Sequence, residues 1–244
     1  MGLFSNSNSY AQLAPEPLQP VHPPLGLFPQ FTAQSEVTLQ IKEKVLALGD
    51  TFYIQDAHTQ QNVLQCDGKI FSLRHRKSIK DMNGNLLFYL QNKILSFPQG
   101  FTGLAADESQ LFEVKSHVSL TGTKMDMHFI NASTQQPVAL DLRGTFFERR
   151  AEILLNGQVV GRVSRQFLNA RQLLADNLTF YVTVAPGCDI ALIVALCCHW
   201  LTERKTRTNE TVSPRHRLAG NKSRDSKIYA VGFPLPNAKL HSIC

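Results

Sequence analysis

Residues 181–201 read YVTVAPGCDIALIVALCCHWL, a short strand pattern followed by a continuous apolar run. Pro186 and Gly187 end the strand, and Asp189 is placed to cap a helix that begins at the next residue. The fourteen residues Cys188–Leu201 span about 21 Å as a helix, less than the roughly 30 Å hydrocarbon core of a bilayer. Because the run is apolar all round, it is typical of a helix buried on every side. The sequence therefore predicts a central buried helix, and insertion of the same helix into a membrane is the alternative.

The chain before this helix has the two-residue period of β-strands. Val37, Leu39 and Ile41 alternate with polar residues, a pattern that predicts a strand with one solvent-exposed face. Similar short segments, rich in β-branched and aromatic residues, lie at 52–55, 63–66, 70–74, 86–91, 112–115, 127–130 and 178–184. Dipeptides that accept positive φ angles stand between such segments and predict two-residue hairpin turns, namely Asp67-Gly68, Asn83-Gly84 and Asn156-Gly157. Consecutive strands are therefore expected to be antiparallel neighbours.

A pattern recurs at an offset of 75 residues: Ala57, Thr59, Gln60, Gln61 and Val63 return as Ala132, Thr134, Gln135, Gln136 and Val138. Arg74 likewise returns as Arg149, and Asn83-Gly84 returns as Asn156-Gly157 at an offset of 73. These matches predict two related halves of about six strands each, and chance similarity between turns rich in Gln and Thr is the alternative. Twelve strands in an open sheet would expose long edges. The predicted fold class is therefore mainly β, a closed antiparallel barrel of about twelve strands around the central helix.

The two ends of the chain differ from its middle in composition. Six of the twelve prolines lie between Pro15 and Pro29, which predicts a disordered, proline-rich arm over residues 1–30. Residues 205–244 hold eight basic and two acidic side chains, an excess equal to the net charge of +6 of the whole chain. This segment is predicted to be a basic disordered tail, either functional or an artefact of gene prediction. Residues 31–204 remain as a barrel domain, and residues 1–204 together carry no net charge.

Several short motifs resemble the LURP-one-related family. They are Phe28-Pro29-Gln30-Phe31, Lys42-Glu43-Lys44, Leu111-Phe112-Glu113-Val114, the run from Ser164 to Arg171 and, above all, the run from Tyr181 to Leu192. That family shares the tubby C-terminal-like fold with tubby proteins and phospholipid scramblases. The resemblance covers about residues 28–204 and implies a barrel around a central hydrophobic helix. The chain departs from the family pattern after the helix, where His199-Trp200 and the basic tail replace a short acidic end.

The sequence carries no motif of a common enzyme class. It contains no glycine-rich phosphate loop, no Gly-x-Ser-x-Gly and no His-Glu-x-x-His. Its five cysteines are odd in number and wrongly spaced for a disulfide framework or a zinc site, and its eight histidines never cluster at ligand spacing. The chain is therefore predicted to be no enzyme and to hold no metal and no cofactor. Without a recognisable secretory signal, it is expected to be cytoplasmic and, where it meets membranes, peripheral to them.

Basic residues form the one candidate site that the sequence indicates. The candidates for binding an anion or an anionic lipid are Arg74, Arg76, Lys77 and Lys80 in the first half and Arg149, Arg150, Arg162 and Arg165 in the second. Cations that share one barrel face would each contribute about 1 kcal/mol of attraction to an anionic membrane. Strand alternation directs Arg74 and Arg76 to one face but Lys77 to the other. A solvated surface without a ligand is the alternative.

These observations predict a non-enzymatic β-barrel domain whose partner is an anionic membrane surface or another protein, with no specific nucleic acid. The resemblance implies phosphoinositides as the lipid class, because tubby relatives recognise them, although no tubby headgroup motif is present here. Two other functions stay open: a scramblase-like lipid transporter anchored by the central helix, and a lipid-handling enzyme with a pocket at the barrel mouth. Release from membranes by high salt would favour the peripheral binder.

Overall fold

A computed structural model of the protein describes residues 16–42, 51–68, 76–93, 100–118, 122–145, 150–165 and 179–212. In this part of the chain the strands are β1 (Val37–Lys42), β2 (Phe52–Asp56), β3 (Asn62–Gly68), β4 (Arg76–Lys80), β5 (Leu86–Asn92), β6 (Gly100–Leu104), β7 (Gln110–Val118), β8 (Gly122–Ile130), β9 (Pro137–Thr145), β10 (Arg150–Leu155), β11 (Gln158–Ser164) and β12 (Thr179–Val184). A 3-10 turn, Pro29–Phe31, precedes β1, and helix α1 (Ile190–Val212) follows β12. The chain divides into two units, Met1–Thr206 and Arg207–Cys244. The first contains all of these strands, and of the second only the end of α1 is described.

The twelve described strands close into a barrel. Each pairs antiparallel with its neighbours in sequence, and β1 pairs with β12 through six consecutive residue pairs. Closure leaves no long strand edge of the kind that an open sheet exposes. Alternate residues face inward, as in β8, where Met125 and Met127 are fully buried while Lys124 and His128 are exposed. The predicted fold class is confirmed.

Helix α1 fills the interior of the barrel, as the sequence predicts. The side chains of Ala191–Cys198 are at most 2 % exposed. Side chains along α1 contact strands on different sides of the barrel. Ile193 lies beside Gly161 of β11, His199 packs on Phe101 of β6, and Trp200 packs on Phe180 of β12. The helical backbone continues to Val212, past the predicted domain end at Arg204. Within the described ranges, no helix combines the length and hydrophobicity that a membrane span requires.

The barrel has two different ends. At one end, called the arm end, lie the short turns that join β2 to β3, β4 to β5, β6 to β7, β8 to β9 and β10 to β11, and α1 begins here. At the opposite end, called the far end, β1, β3, β5, β7, β9 and β11 finish and the strands that follow them begin; the residues between, 43–50, 69–75, 94–99, 119–121, 146–149 and 166–178, are outside the described residues. The strand predicted at 70–74 lies within 69–75 and is therefore outside the described residues.

Residues 16–33 pack across the arm end. Five backbone hydrogen bonds join this segment to residues 186–189, and a Cβ on Gly26 would lie 2.1 Å from the Cβ of Asp189. Three of its apolar side chains are buried to 4–5 % exposure, Leu18, Val21 and Leu25. The segment differs from the disordered arm predicted for residues 1–30. Amides between its prolines, such as that of Val21, donate to carbonyl groups of the barrel.

The internal repeat is visible in two turns of the arm end. Gln60 and Gln135 both have left-handed backbones, with φ angles of 60° and 55°. Each side-chain amide donates to the carbonyl of the alanine three residues earlier, Ala57 or Ala132. The turns join β2 to β3 and β8 to β9, which are six strands apart in the ring of twelve. This placement supports two related halves of six strands each.

Two of the three predicted hairpin turns differ in the structure. Asn156-Gly157 forms the expected two-residue turn, with φ angles of 51° and 89°. Asn83-Gly84 lies instead in a five-residue turn, in which the Asp81 carboxylate accepts bonds from two backbone amides of the same turn. Asp67-Gly68 is not a turn but the end of β3, paired with β4. The prediction there was wrong because these two residues pair with Ser78 and Lys77 of β4, a long-range pairing that the dipeptide itself does not indicate.

Candidate anion-binding site

The predicted basic residues do not gather on one side of the barrel. Arg76, Lys77 and Lys80 lie on β4, whereas Arg150 begins β10. In the ring of twelve strands, β4 and β10 are six positions apart, which places them on opposite sides. The repeat explains the separation, because a unit of six strands in a twelve-stranded ring sets equivalent residues half a turn apart. Arg74 and Arg149 lie outside the described residues.

The two outward cations of β4 are already paired with carboxylates. Arg76 donates hydrogen bonds of 2.8 Å to both carboxylate oxygens of Glu108 and stacks over the ring of Tyr89, 4.9 Å from its centroid. Lys80 forms a 2.7 Å ion pair with Asp67. Glu108 engages Arg76 with both of its oxygens and Asp67 holds Lys80 at short range, so the donors of these two cations are largely occupied.

Lys77 points into the barrel, on the side of β4 that carries the buried Ile79, as strand alternation predicts. Its ammonium group lies close enough to two buried thiols to influence their pKa. Burial raises the pKa of Cys198 to about 11, and the charge of Lys77 opposes that rise. Burial also raises the pKa of Cys66, and Lys77 again acts against it. Both thiols are therefore protonated at neutral pH, which makes them poor nucleophiles and poor metal ligands.

The second predicted group is spread over β10, β11 and the residue after β11. Arg162 donates to the backbone carbonyl of Glu16 at 2.6 Å and so holds the arm. Arg165 lies over the ring of Phe180, 4.7 Å from its centroid. Arg150 is exposed at the first position of β10, at the far end of the barrel. Of this described group, Arg150 is thus the one whose surroundings suit contact with a large anionic surface.

A cleft that the sequence does not predict lies at the far end of β7, β8 and β9. Lys124 stands directly opposite His117 on one side and Arg143 on the other. The three side chains are 49–63 % exposed. The cleft between them has a volume of about 390 Å³ and is lined by His117, Gly122, Thr123, Lys124, Arg143, Gly144 and Thr145. Three adjacent strands therefore present three basic side chains around one cavity.

Two aspartates hold these basic side chains from the next row of the sheet. Asp126 Oδ2 lies 3.0 Å from His117 Nε2, and its Oδ1 lies 3.1 Å from Lys124 Nζ. Asp141 Oδ2 lies 3.6 Å from Arg143 Nη2. Burial acts to raise the pKa of Asp126, but the hydrogen bond from Lys124 and the charges of Lys124 and His117 lower it below its ordinary value. Asp126 is therefore ionised at neutral pH and orients its neighbours, while neither aspartate lines the cleft.

A glycine forms the thinnest part of the cleft wall. A Cβ on Gly144 would lie 2.6–2.8 Å from the indole of Trp200, which is itself 1 % exposed inside the barrel. Gly144 therefore lines the cleft while its backbone contacts the central helix. The absence of a side chain at Gly144 thus leaves room for the Trp200 indole behind the cleft.

One sequence signal could have indicated this cleft. Lys124 and Asp126 share the outward face of β8, and Asp141 and Arg143 share that of β9, because residues two apart point the same way in a strand. The signal is incomplete, since it does not show that Lys124 lies opposite Arg143.

Among the described residues, no group of three His, Cys, Asp or Glu side chains is arranged to hold a metal ion.

Comparisons with known proteins agree with this architecture. A family model described as LURP-one-related matches residues 37–199, which include all twelve described strands and the start of α1. Among solved structures, the X-ray structure of a protein from Arabidopsis thaliana is similar, with a TM-score of 0.51 and 18 % identity. The match covers 73 % of this chain and 96 % of that one, and at this identity it shows the fold alone. No curated protein matches the chain significantly.

Proposed function

Because this chain belongs to the LURP-one-related family, we propose that it is a non-enzymatic binding module that docks on anionic membrane surfaces. The observation that carries the proposal is the set of exposed cations at the far end. Lys124, Arg143 and Arg150 lie on the consecutive strands β8, β9 and β10. Near an anionic leaflet, each contributes about 1 kcal/mol of attraction. Their common position at one end lets all three meet a flat surface together.

The far-end cations differ from those of β4 in how tightly carboxylates hold them. Arg76 is bound by both oxygens of Glu108. Arg143, by contrast, is 63 % exposed, and its Nη2 lies 3.6 Å from Oδ2 of Asp141. A guanidinium group with donors facing solvent can form bidentate hydrogen bonds with a phosphate. This contrast favours the far end, rather than the β4 side, as the docking surface.

The packed interior supports a role without catalysis. A lipid-handling enzyme would need a cavity for an acyl chain inside the barrel, and α1 occupies that space with side chains from Ala191 to Cys198 at most 2 % exposed. A scramblase-like anchor would require the same helix to leave the barrel, so the buried inward side chains of the strands would lose their packing partner, at a cost of several kcal/mol. The proposed module needs neither change.

Vesicle flotation tests the proposal. The full chain is mixed with phosphatidylcholine vesicles, with or without phosphatidylserine, and compared with the triple variant Lys124→Gln, Arg143→Gln, Arg150→Gln. We expect the full chain to float only with anionic vesicles and to be released by high salt, because screening weakens surface electrostatics. The triple variant should lose most of this binding. Lys80→Gln is the matched control, since it removes a cation from the opposite side of the barrel.

Each other outcome contradicts the proposal in its own way. Equal flotation of wild type and triple variant would show that the far-end cations do not dock. Flotation that depends on residues 213–244, tested with a chain ending at Val212, would assign binding to the basic tail. Binding that persists at high salt, and that also occurs with neutral vesicles, would favour the anchored transporter. No flotation at all would leave interaction with another protein as the function to test.

A further inference from the structure

The cleft between β7, β8 and β9 is a concave part of the described far-end surface. Its lining contains three basic side chains, two glycines and two threonines, and no acidic residue. The aspartates that pair with the cations stand one row nearer the arm end, outside the lining. His117, Lys124 and Arg143 therefore line the cavity, and the carboxylates that pair with them lie outside the lining.

We infer that this cleft is a binding site for a phosphomonoester group, with Lys124 and Arg143 as its charged ligands and His117 beside them. The inference rests on the proposed function and deepens it, because it names the chemical group that the docking surface selects. Lys124 supplies a compact ammonium and Arg143 a planar fork, two donor geometries that together match several oxygens of one phosphate. Thr145, exposed at the rim, adds a hydroxyl donor.

The shape of the site favours a terminal phosphate over a diester. In a phosphomonoester three oxygens are available to donors, and the charge approaches −2 near neutral pH. A diester has one negative charge and two esterified oxygens, so it offers fewer acceptors to donors that come from three strands. The volume of about 390 Å³ falls within the range of small-molecule sites. It therefore has room for the group that carries the phosphate, whether a lipid headgroup or a soluble phosphorylated molecule.

Titration of the full chain with methyl phosphate, followed by backbone amide NMR, tests the site directly. Dimethyl phosphate is the diester control, and sodium chloride at equal ionic strength is the control for screening. We expect saturable shifts at the amides of Thr123, Lys124 and Gly144 with methyl phosphate, and binding of dimethyl phosphate that is weaker by about tenfold. Shifts that never saturate, or that chloride reproduces, would overturn the inference.

Matched variants separate the site from general charge effects. Lys124→Gln and Arg143→Gln should each weaken methyl phosphate binding by about tenfold or more, while Arg150→Gln, which removes an exposed cation outside the cleft, should leave it unchanged. Arg143→Lys keeps the charge but removes the planar guanidinium with its paired donors, so affinity between that of the wild type and that of Arg143→Gln is expected. It also serves as the decisive variant if a glutamine variant does not fold. Equal effects of Arg150→Gln and Arg143→Gln would contradict a defined site.

A series of vesicles tests the phosphate site separately from membrane docking, the proposed function on which it rests, and identifies the source of the phosphate. Vesicles with phosphatidylinositol 4-phosphate, a phosphomonoester, are compared with phosphatidylserine vesicles of equal total charge. Preference for the monoester that Lys124→Gln abolishes supports a lipid headgroup as the ligand. Equal flotation with both lipids, without methyl phosphate binding, overturns the site but leaves membrane docking intact. Methyl phosphate binding without any flotation contradicts membrane docking while supporting a site for a soluble phosphate.

Discussion

The arm end and the far end of the barrel use their polar side chains in opposite ways. At the arm end, Asp189 is 1 % exposed, and its carboxylate accepts hydrogen bonds from four backbone amides, those of Leu27, Phe28, Ala191 and Leu192. At the far end, Lys124 and Arg143 are 49 % and 63 % exposed and keep donors free of the protein interior. A buried group whose bonds are all made within the chain contributes to stability. A half-exposed charge held by one carboxylate still has donors to offer, so exposure and pairing identify a binding surface better than the number of charges does.

The largest effect is expected from Asp189→Ala, which removes the carboxylate shared by residues 16–33 and the start of α1. Four buried or partly buried amides would lose their acceptor, and the protein should be destabilised by about 3 kcal/mol or more. Asp189→Asn is the matched control: it keeps one acceptor oxygen and avoids burying a charge, and burial already raises the pKa of Asp189. Urea unfolding followed by the fluorescence of Trp200, the single tryptophan, measures both. An equal loss in the two variants would contradict the role of the retained acceptor.

The two halves of the repeat offer a second test, because Asn131 and Asp56 occupy equivalent positions before their turns. Asn131 is 3 % exposed, and its amide bonds to Gly26 N and Pro24 O of the arm. Asp56 accepts hydrogen bonds from within its own exposed turn, including the backbone amides of His58 and Thr59. We expect Asn131→Ala to cost about 2 kcal/mol and Asp56→Ala about 1 kcal/mol or less in the free energy of unfolding. Limited proteolysis of residues 16–30 should increase in the first variant alone; equal cleavage would show that Asn131 does not hold the arm.

A glycine-to-alanine change at each end separates packing from backbone conformation. Gly144→Ala at the far end forces a Cβ to within 2.8 Å of the Trp200 indole, and overpacking of this kind costs about 2 kcal/mol. Gly157→Ala at the arm end meets no atom within 4 Å but has a φ angle of +89°, so about 1 kcal/mol is expected from conformation alone. The emission of Trp200 should shift in Gly144→Ala and stay constant in Gly157→Ala. A constant emission in both variants would place the indole away from the cleft wall.

The smallest effect is expected at the Lys93–Glu113 ion pair, which is partly exposed. A hydrogen bond from Lys93 lowers the pKa of the Glu113 carboxyl. A lowered folded-state pKa means that the pair stabilises the protein above the unfolded pKa of glutamate, and that this stabilisation is lost as the pH falls through the folded pKa. Lys93→Met should therefore reduce the stability at pH 7 by about 0.5 kcal/mol, after allowance for solvent screening, and have almost no effect near pH 2. A constant difference between pH 2 and pH 7 would show that the loss is one of packing rather than charge.

Local patterns were sufficient for the main elements of this fold and insufficient for its surface. The helix after Asp189, the alternation of the strands and the inward direction of Lys77 all depend on residues within a few positions of one another. The packing of residues 16–33 was missed because prolines indicate an extended backbone but not what that backbone contacts. Asp67-Gly68 has the composition of a turn, and its place in β3 depends on β4.

The candidate site shows the same division. The amino-acid order specified that cations would be present and which of them would share a strand face, since side chains two apart in a strand point the same way. It could not specify that Lys124 faces Arg143, because that contact is set by the register between β8 and β9. Arg76 and Arg150 lie on opposite sides because two halves of six strands close into one ring, a consequence of the predicted repeat that the expectation of a single basic face did not take into account. Register and closure are properties of strands paired across the whole barrel, and no single segment of the chain contains them.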